Sequence, residues 1–245
     1  MIRTEADIAR ELAALLALDP ALRAVAAVAG EVPLRQTPAG LHGLLATIVG
    51  QQVSTASARA IFGRFAALVD TSDAAAILRL TDADYRAAGF SAAKQRTTIA
   101  IAEGVRDGRL DLDRIGDIPA SEAVAELAAL PGIGVWTAEC YLLFAVGHPD
   151  VFPAGDLALQ VAVGHARALP GRPKEKPVAE LAKAWSPHRS IAARLFWSYY
   201  HAVTRRDAAP AEAAADAAAK AGGSRPVRKN VASPKASQRR HDRTA

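Results

Sequence analysis

The amino-acid sequence predicts an all-α protein, and its composition, apolar spacing and punctuation carry that prediction. Alanine and leucine dominate the 245 residues, β-branched runs are scarce, and apolar residues recur at helical spacing. Helix-capping residues and Pro or Gly breaks punctuate the chain at intervals suited to short helices.

Residues 4–29 read as two helices broken at Asp19-Pro20, where Asp caps and Pro fits a first helical turn. Residues 30–40 form a Pro- and Gly-rich loop. Helices are expected over 40–49 and 52–69, with shorter ones over 73–79 and 82–87. Ser91 caps a helix that Asp107-Gly108 ends. Residues 109–120 are a polar connection. Ser121 opens a helix that stops at Pro131-Gly132, and another covers 134–146. A loop with two prolines leads to a helix from Asp156 to about 168. Residues 169–177 are a break, and further helices fit 178–184 and 188–206, the last rich in aromatics. Residues 1–206 are therefore expected to fold as one helical domain. Residues 207–245, Ala-rich and then basic, are expected to be disordered, because they lack an apolar stripe to bury.

Charge divides along the same line. Residues 1–204 hold 20 Lys and Arg against 21 Asp and Glu, a net of −1; residues 205–245 hold 10 against 4, a net of +6. The basic character lies in the tail and says nothing of a binding face on the folded part. The tail either adds salt-sensitive attraction to nucleic acid or only solubilises the chain. The single cysteine, Cys140, excludes an intramolecular disulfide and a Cys-based metal cluster within one chain. Arg10 and Glu11 interrupt any signal-like stretch at the start, so a cytoplasmic protein is expected, with no membrane contact and a monomeric state.

The most informative run is Leu130-Pro131-Gly132-Ile133-Gly134, set between two helices. Gly132 and Gly134 permit positive φ and close backbone approach. The free N–H groups of the following helix, including that of Thr137, would point outward at its positive dipole end, where a phosphate is a natural guest. Ile133 would pin the turn to the core. A plain αα-turn has the same glycines.

That run, followed about twenty residues later by Pro153-Ala154-Gly155-Asp156, resembles the helix-hairpin-helix DNA glycosylase superfamily. Gly50-Gln51-Gln52-Val53-Ser54, Trp136 and the segment Ser186-Pro187-His188-Arg189-Ser190 with Trp197 look like its 3-methyladenine DNA glycosylase II branch. The resemblance implies two helical subdomains flanking a cleft, with the hairpin over about 121–146 and double-stranded DNA as partner. It implies base excision with Asp156 as the catalytic carboxylate, and no cofactor beyond a monovalent cation on hairpin carbonyls near Gly132 and Gly134. Larger members of the branch carry an amino-terminal β-rich domain, for which the residues before 36 are too few; a helical start fits the compact members.

Breaking an N-glycosidic bond builds positive charge on the sugar, which a carboxylate stabilises while orienting water. Asp156 fits that task, or simply caps its helix. An alkylated purine is cationic and favours an indole face by up to about 2 kcal/mol. Trp136, Trp197 and Tyr141 are the candidate base-pocket residues; as helix aromatics they could equally be core. Gln52, with Gln51, is the candidate wedge for the gap left by a flipped base, or a polar helix entry. Lys94 either touches a phosphate or is solvated surface, and Arg189 either supports the Asp156 loop or caps a helix. Bifunctional relatives place a Lys where this chain has Trp136, which points to a monofunctional enzyme. Two other readings stay open: a glycosylase for mismatched or deaminated bases, and a DNA-binding protein without catalysis.

Overall fold

The computed structural model describes residues 1–204, and among them are twelve α-helices and no strand. The expected tail lies outside the described residues. Helix α1 (Glu5–Leu18) begins at a capping box in which Thr4 and Asp7 satisfy each other's backbone N–H groups, and α2 (Leu22–Ala29) follows the Asp19-Pro20 break. After a loop come α3 (Gly40–Gly50), α4 (Thr55–Leu68), α5 (Ala74–Ile77), α6 (Asp82–Ala88) and α7 (Ala92–Arg106). Ser54, Asp73, Thr81 and Ser91 each cap the helix they precede. Helices α8 (Ala120–Ala128) and α9 (Val135–Tyr141) flank the hairpin, and α9 widens into a π-turn over Leu142–Val146. Helices α10 (Leu157–Ala166), α11 (Glu175–Ala182) and α12 (189–204) complete the order.

Several boundaries shift by a residue or more from expectation, and three helix starts show why. Helix α4 starts at 55 rather than 52, because Gln52 adopts φ +57° and so stands outside any right-handed helix. Helix α8 starts one residue before Ser121, with Pro119 at the cap position. Helix α11 starts at Glu175, placing Pro177 in its first turn, where a missing N–H leaves no helical bond unmade.

The helices build two apolar cores. Leu44, Leu45, Ile48, Phe65, Ile101 and Leu127 centre one, drawn from α3 to α9. Leu15, Leu22, Leu159, Val163, Trp185 and Phe196 centre the other, which joins the first two helices to the last three. In the π-turn, Leu142 enters the first core and Leu143 the second. The cleft between these two cores holds the site.

Candidate active site

One wall of the cleft is backbone. Leu127 and Ile133 are buried on either side of the hairpin, so the turn is anchored from within, as expected of Ile133. Gly132 has φ +85°, and a Cβ there would stand 1.9 Å from the Thr97 hydroxyl oxygen on α7. Only glycine fits that approach. Gly134 is different from expectation: its φ is −85°, and a Cβ would meet nothing within 4 Å. It is the N-cap of α9 and leaves open space before the helix end. The first N–H with a helical partner is that of Ala138, which donates to Gly134 O, so those of Val135, Trp136 and Thr137 precede the ladder.

The Gln51-Gln52 turn lies beside this wall. Gln51 Nε2 donates to Thr137 Oγ1 at 3.0 Å, tying the turn to α9 through the buried Thr137 hydroxyl. Thr137 accepts in that bond, so its O–H is not used by it, but the side chain is buried and its backbone N–H is the group left at the helix end. Gln52 is exposed, in the left-handed region that non-glycine residues rarely adopt. Lys94, expected either to touch a phosphate or to be solvated surface, is partly buried. Its Nζ donates to Val49 O at 2.5 Å, closing the carboxyl end of α3 just before the turn, and burial pulls its pKa down.

The other wall is made of side chains. Asp156 caps α10 by accepting from Leu159 N at 3.0 Å. The same carboxylate accepts from two indoles: Trp136 Nε1 at 3.0 Å on Oδ2 and Trp197 Nε1 at 3.2 Å on Oδ1. A carboxylate has about four lone-pair sites, so these three donors leave one, on Oδ2, for a further guest. Trp197 stacks on Phe144, with centroids 5.3 Å apart and planes 28° apart, and Arg194 lies 4.9 Å from the other ring of that stack. Arg194 is buried and donates to Leu143 O at 2.9 Å and to the Leu34 carbonyl, which binds the 30–39 loop to the pocket floor. Burial first, and then the charge of Arg35, pull its pKa down to about 10.

The loop before Asp156 is clamped by the start of α12. Arg189 makes a two-pronged ion pair with Asp150 at 2.6 and 2.9 Å, Ser186 donates to Asp150 at 2.8 Å, and Ser190 Oγ bridges the Val151 N–H and carbonyl. Burial pushes the Asp150 carboxyl up, but these partners outweigh it and hold it below the ordinary range. Arg189 thus supports the loop. Glu139, on α9, is half-buried, and burial together with the Glu175 carboxylate pushes it up to about 7.

Trp136, Trp197 and Asp156 surround a cavity of about 470 Å³, within the range of small-molecule pockets. Trp136 is 48% exposed and also borders a neighbouring hollow of about 550 Å³ that reaches Gln51 and Gln52. Tyr141 departs from expectation: its ring is buried in the first core and its hydroxyl donates to Gly40 O at 3.2 Å. Cys140 faces the cavity in its place, a thiol that burial and the nearby Asp156 charge push well up and so leave protonated. Sequence reasoning missed Arg35, Thr47, Phe144, Tyr200 and His201 as lining residues. The aromatic run in α12 was a usable signal for Tyr200; the loop around Arg35 offered none.

A helical cleft with a hairpin on one side and a caged aspartate on the other defines a DNA base-excision fold. The chain belongs to the HhH-GPD superfamily of base excision DNA repair proteins, whose family description matches residues 45–188. It is 30% identical over 158 residues to DNA-3-methyladenine glycosylase 1 of Schizosaccharomyces pombe, covering 63% of this chain and 69% of that protein. Among solved structures it resembles a DNA-3-methyladenine glycosidase from Bacillus halodurans, at TM-score 0.71 and 32% identity over 78% of this chain and 88% of that one. It also resembles a 3-methyladenine DNA glycosylase of S. pombe in complex with abasic DNA, at TM-score 0.64 and 27% identity over 77% and 95%.

Proposed function

We propose that the protein is a monofunctional DNA glycosylase that flips alkylated bases out of double-stranded DNA and hydrolyses their N-glycosidic bond, leaving an abasic site. The observation that carries this reading is the Asp156 carboxylate held between two indole N–H groups at the wall of a base-sized cavity. The named activity of the relatives supports it.

The N–H groups of Val135, Trp136 and Thr137 receive a DNA phosphate at the α9 end, with Gly134 giving the backbone room to approach. Among the described residues the carbonyls of Gly132 and Ile133 accept no hydrogen bond, whereas that of Gly134 accepts from Ala138. Those two free oxygens suit a monovalent cation, which would add positive charge beside the phosphate. Gln52, presented at the tip of its strained turn, fills the gap in the duplex, with Gln51 fixing the turn.

The flipped base enters between the Trp136 and Trp197 faces. As the C1′–N bond breaks, its electron pair leaves with the base and positive charge grows on the sugar. Asp156 faces that charge. Its remaining lone-pair site orients a water whose oxygen bonds to C1′ while its proton passes to the carboxylate or solvent. Among the described residues no lysine lines the cavity, and we read the chemistry as proceeding without a Schiff base or strand cleavage. We read the protein as a monomer acting in the cytoplasm; no helix among the described residues is long and apolar enough to cross a membrane.

The test is base release from methylated duplex DNA, with strand nicking scored in parallel. Asp156→Asn should lower release by about 10³-fold while DNA affinity stays. Full release by the variant, or nicking by the wild type, would overturn the assignment.

A further inference from the structure

Arg35 is a charged residue of the cavity that the chemistry above does not use. It is exposed, its φ is +45°, and it sits in the loop between α2 and α3. A non-glycine residue in the left-handed region persists where its surroundings over-determine it, and here they do. On one side Leu34 O accepts from buried Arg194, and Leu34 N donates to Glu5 at 3.4 Å. On the other, Thr37 N donates to Phe144 O at 3.0 Å. The backbone is tied both before and after Arg35, and its side chain lines the cavity shared by Trp136, Trp197 and Asp156.

Its charge is not neutralised there. Among the described residues Arg35 has no ion-pair partner. Asp156, the cavity's carboxylate, is committed to two indoles and a backbone N–H instead. The neighbouring charges are Arg194, also positive, under the Phe144 ring, and Glu5, whose carboxylate is taken up by the Leu34 N–H and makes no ion pair with Arg35. A flipped base in this cavity therefore meets a guanidinium with donors and no acceptors.

Such a group has two effects on a base. It repels a cationic one, against the attraction of the indoles. It also donates in a fork to a carbonyl and ring nitrogen on one purine edge, and a site built to donate discriminates against an analogue that lacks the acceptor. We propose that Arg35 is a specificity-determining residue: it offsets the indoles' preference for cationic bases and widens the pocket to uncharged purines that carry a carbonyl acceptor. This rests on the glycosylase reading.

The experiment compares single-turnover release of hypoxanthine (uncharged, carbonyl-bearing) and 3-methyladenine (cationic, without a carbonyl) from matched duplexes, by the wild type, Arg35→Gln and Arg35→Lys. Arg35→Gln should lower the hypoxanthine to 3-methyladenine ratio about tenfold. Arg35→Lys, which keeps the charge without the fork, should fall between. A parallel loss on both lesions with a flatter salt dependence would make Arg35 a phosphate contact and overturn the proposal, as would an unchanged ratio. The same ratio is then read as duplex affinity in the Asp156→Asn background, with and without Arg35→Gln. A shift there alongside a wild type that releases neither base would end the catalytic assignment and leave that of Arg35 standing; no shift in affinity or release would end that of Arg35.

Discussion

The hairpin half and the pocket half of the cleft are built on different terms. The hairpin works through backbone: a glycine pressed against α7, an open one at the start of α9, and amides that any residue would supply. Its parts lie within a dozen consecutive positions, joined by the Gln51–Thr137 bond to one neighbouring turn. The pocket works through side chains, and Arg35, Trp136, Asp156 and Trp197 come from four separate stretches of the chain. Gripping a phosphate needs only directed N–H groups. Meeting a growing positive charge needs particular groups at particular distances, so each must be held by its own supports.

The sharpest way to break this comparison is at the two glycines. Gly132→Ala puts a methyl against Thr97 at a positive φ, and should cost about 2–3 kcal/mol in denaturant unfolding. Gly134→Ala meets open space and should change stability by less than about 0.5 kcal/mol, while weakening DNA binding. Equal costs would remove the distinction between a packed and an open glycine. On the pocket side, Trp197→Phe and Trp136→Phe each keep a ring and lose a donor to Asp156. Base release should fall about tenfold in each, with DNA affinity held.

A smaller effect is expected where the halves meet. Glu139 has a folded pKa of about 7, above its ordinary value, so the folded state holds a proton that the unfolded chain gives up earlier. The fold therefore loses stability as pH rises from about 5 to about 8. Glu139→Gln should match the wild type at pH 4.5 and exceed it at pH 8 by about 1 kcal/mol, allowing for screening by water, as read by melting temperature at each pH. The smallest effect is at Gln52→Gly. Relief of the φ +57° strain and the added chain entropy offset each other to within about 0.5 kcal/mol. Loss of the side chain should still lower affinity for lesion-bearing duplex several-fold, as read by titration.

The same contrast decides what was legible in the sequence. The hairpin was legible because its glycines and the anchoring Ile133 are contiguous. Asp156 was legible as a helix cap from its place after a Pro- and Gly-containing loop, and its position at the cavity followed from the resemblance. Tyr141 was misassigned because it stands five residues beyond Trp136, which turns it away from the cleft. The position four residues on, sharing the face, is Cys140. The bond of Lys94 to the Val49 carbonyl was not legible, because that partner is 45 residues away and carries no side-chain signature. Arg35 left no trace at all: a strained backbone and an unpaired charge are properties of the assembled loop. The twelve helices were mostly legible from caps and breaks, and the misplaced starts fell where Gln52 and Pro177 override local pattern.

The second core joins α1 and α2 to α10, α11 and α12, so the chain leaves that body after its second helix and returns to it more than a hundred residues later. During synthesis the first core has all its helices once α9 and its π-turn have emerged. The core of the first two helices is completed only when Phe196 has left the ribosome, although Leu159, Val163 and Trp185 reach it earlier. The hairpin can therefore take shape on a nascent chain well before Trp197 arrives beside Asp156. In the order of manufacture the backbone wall of the cleft is complete before the side-chain wall.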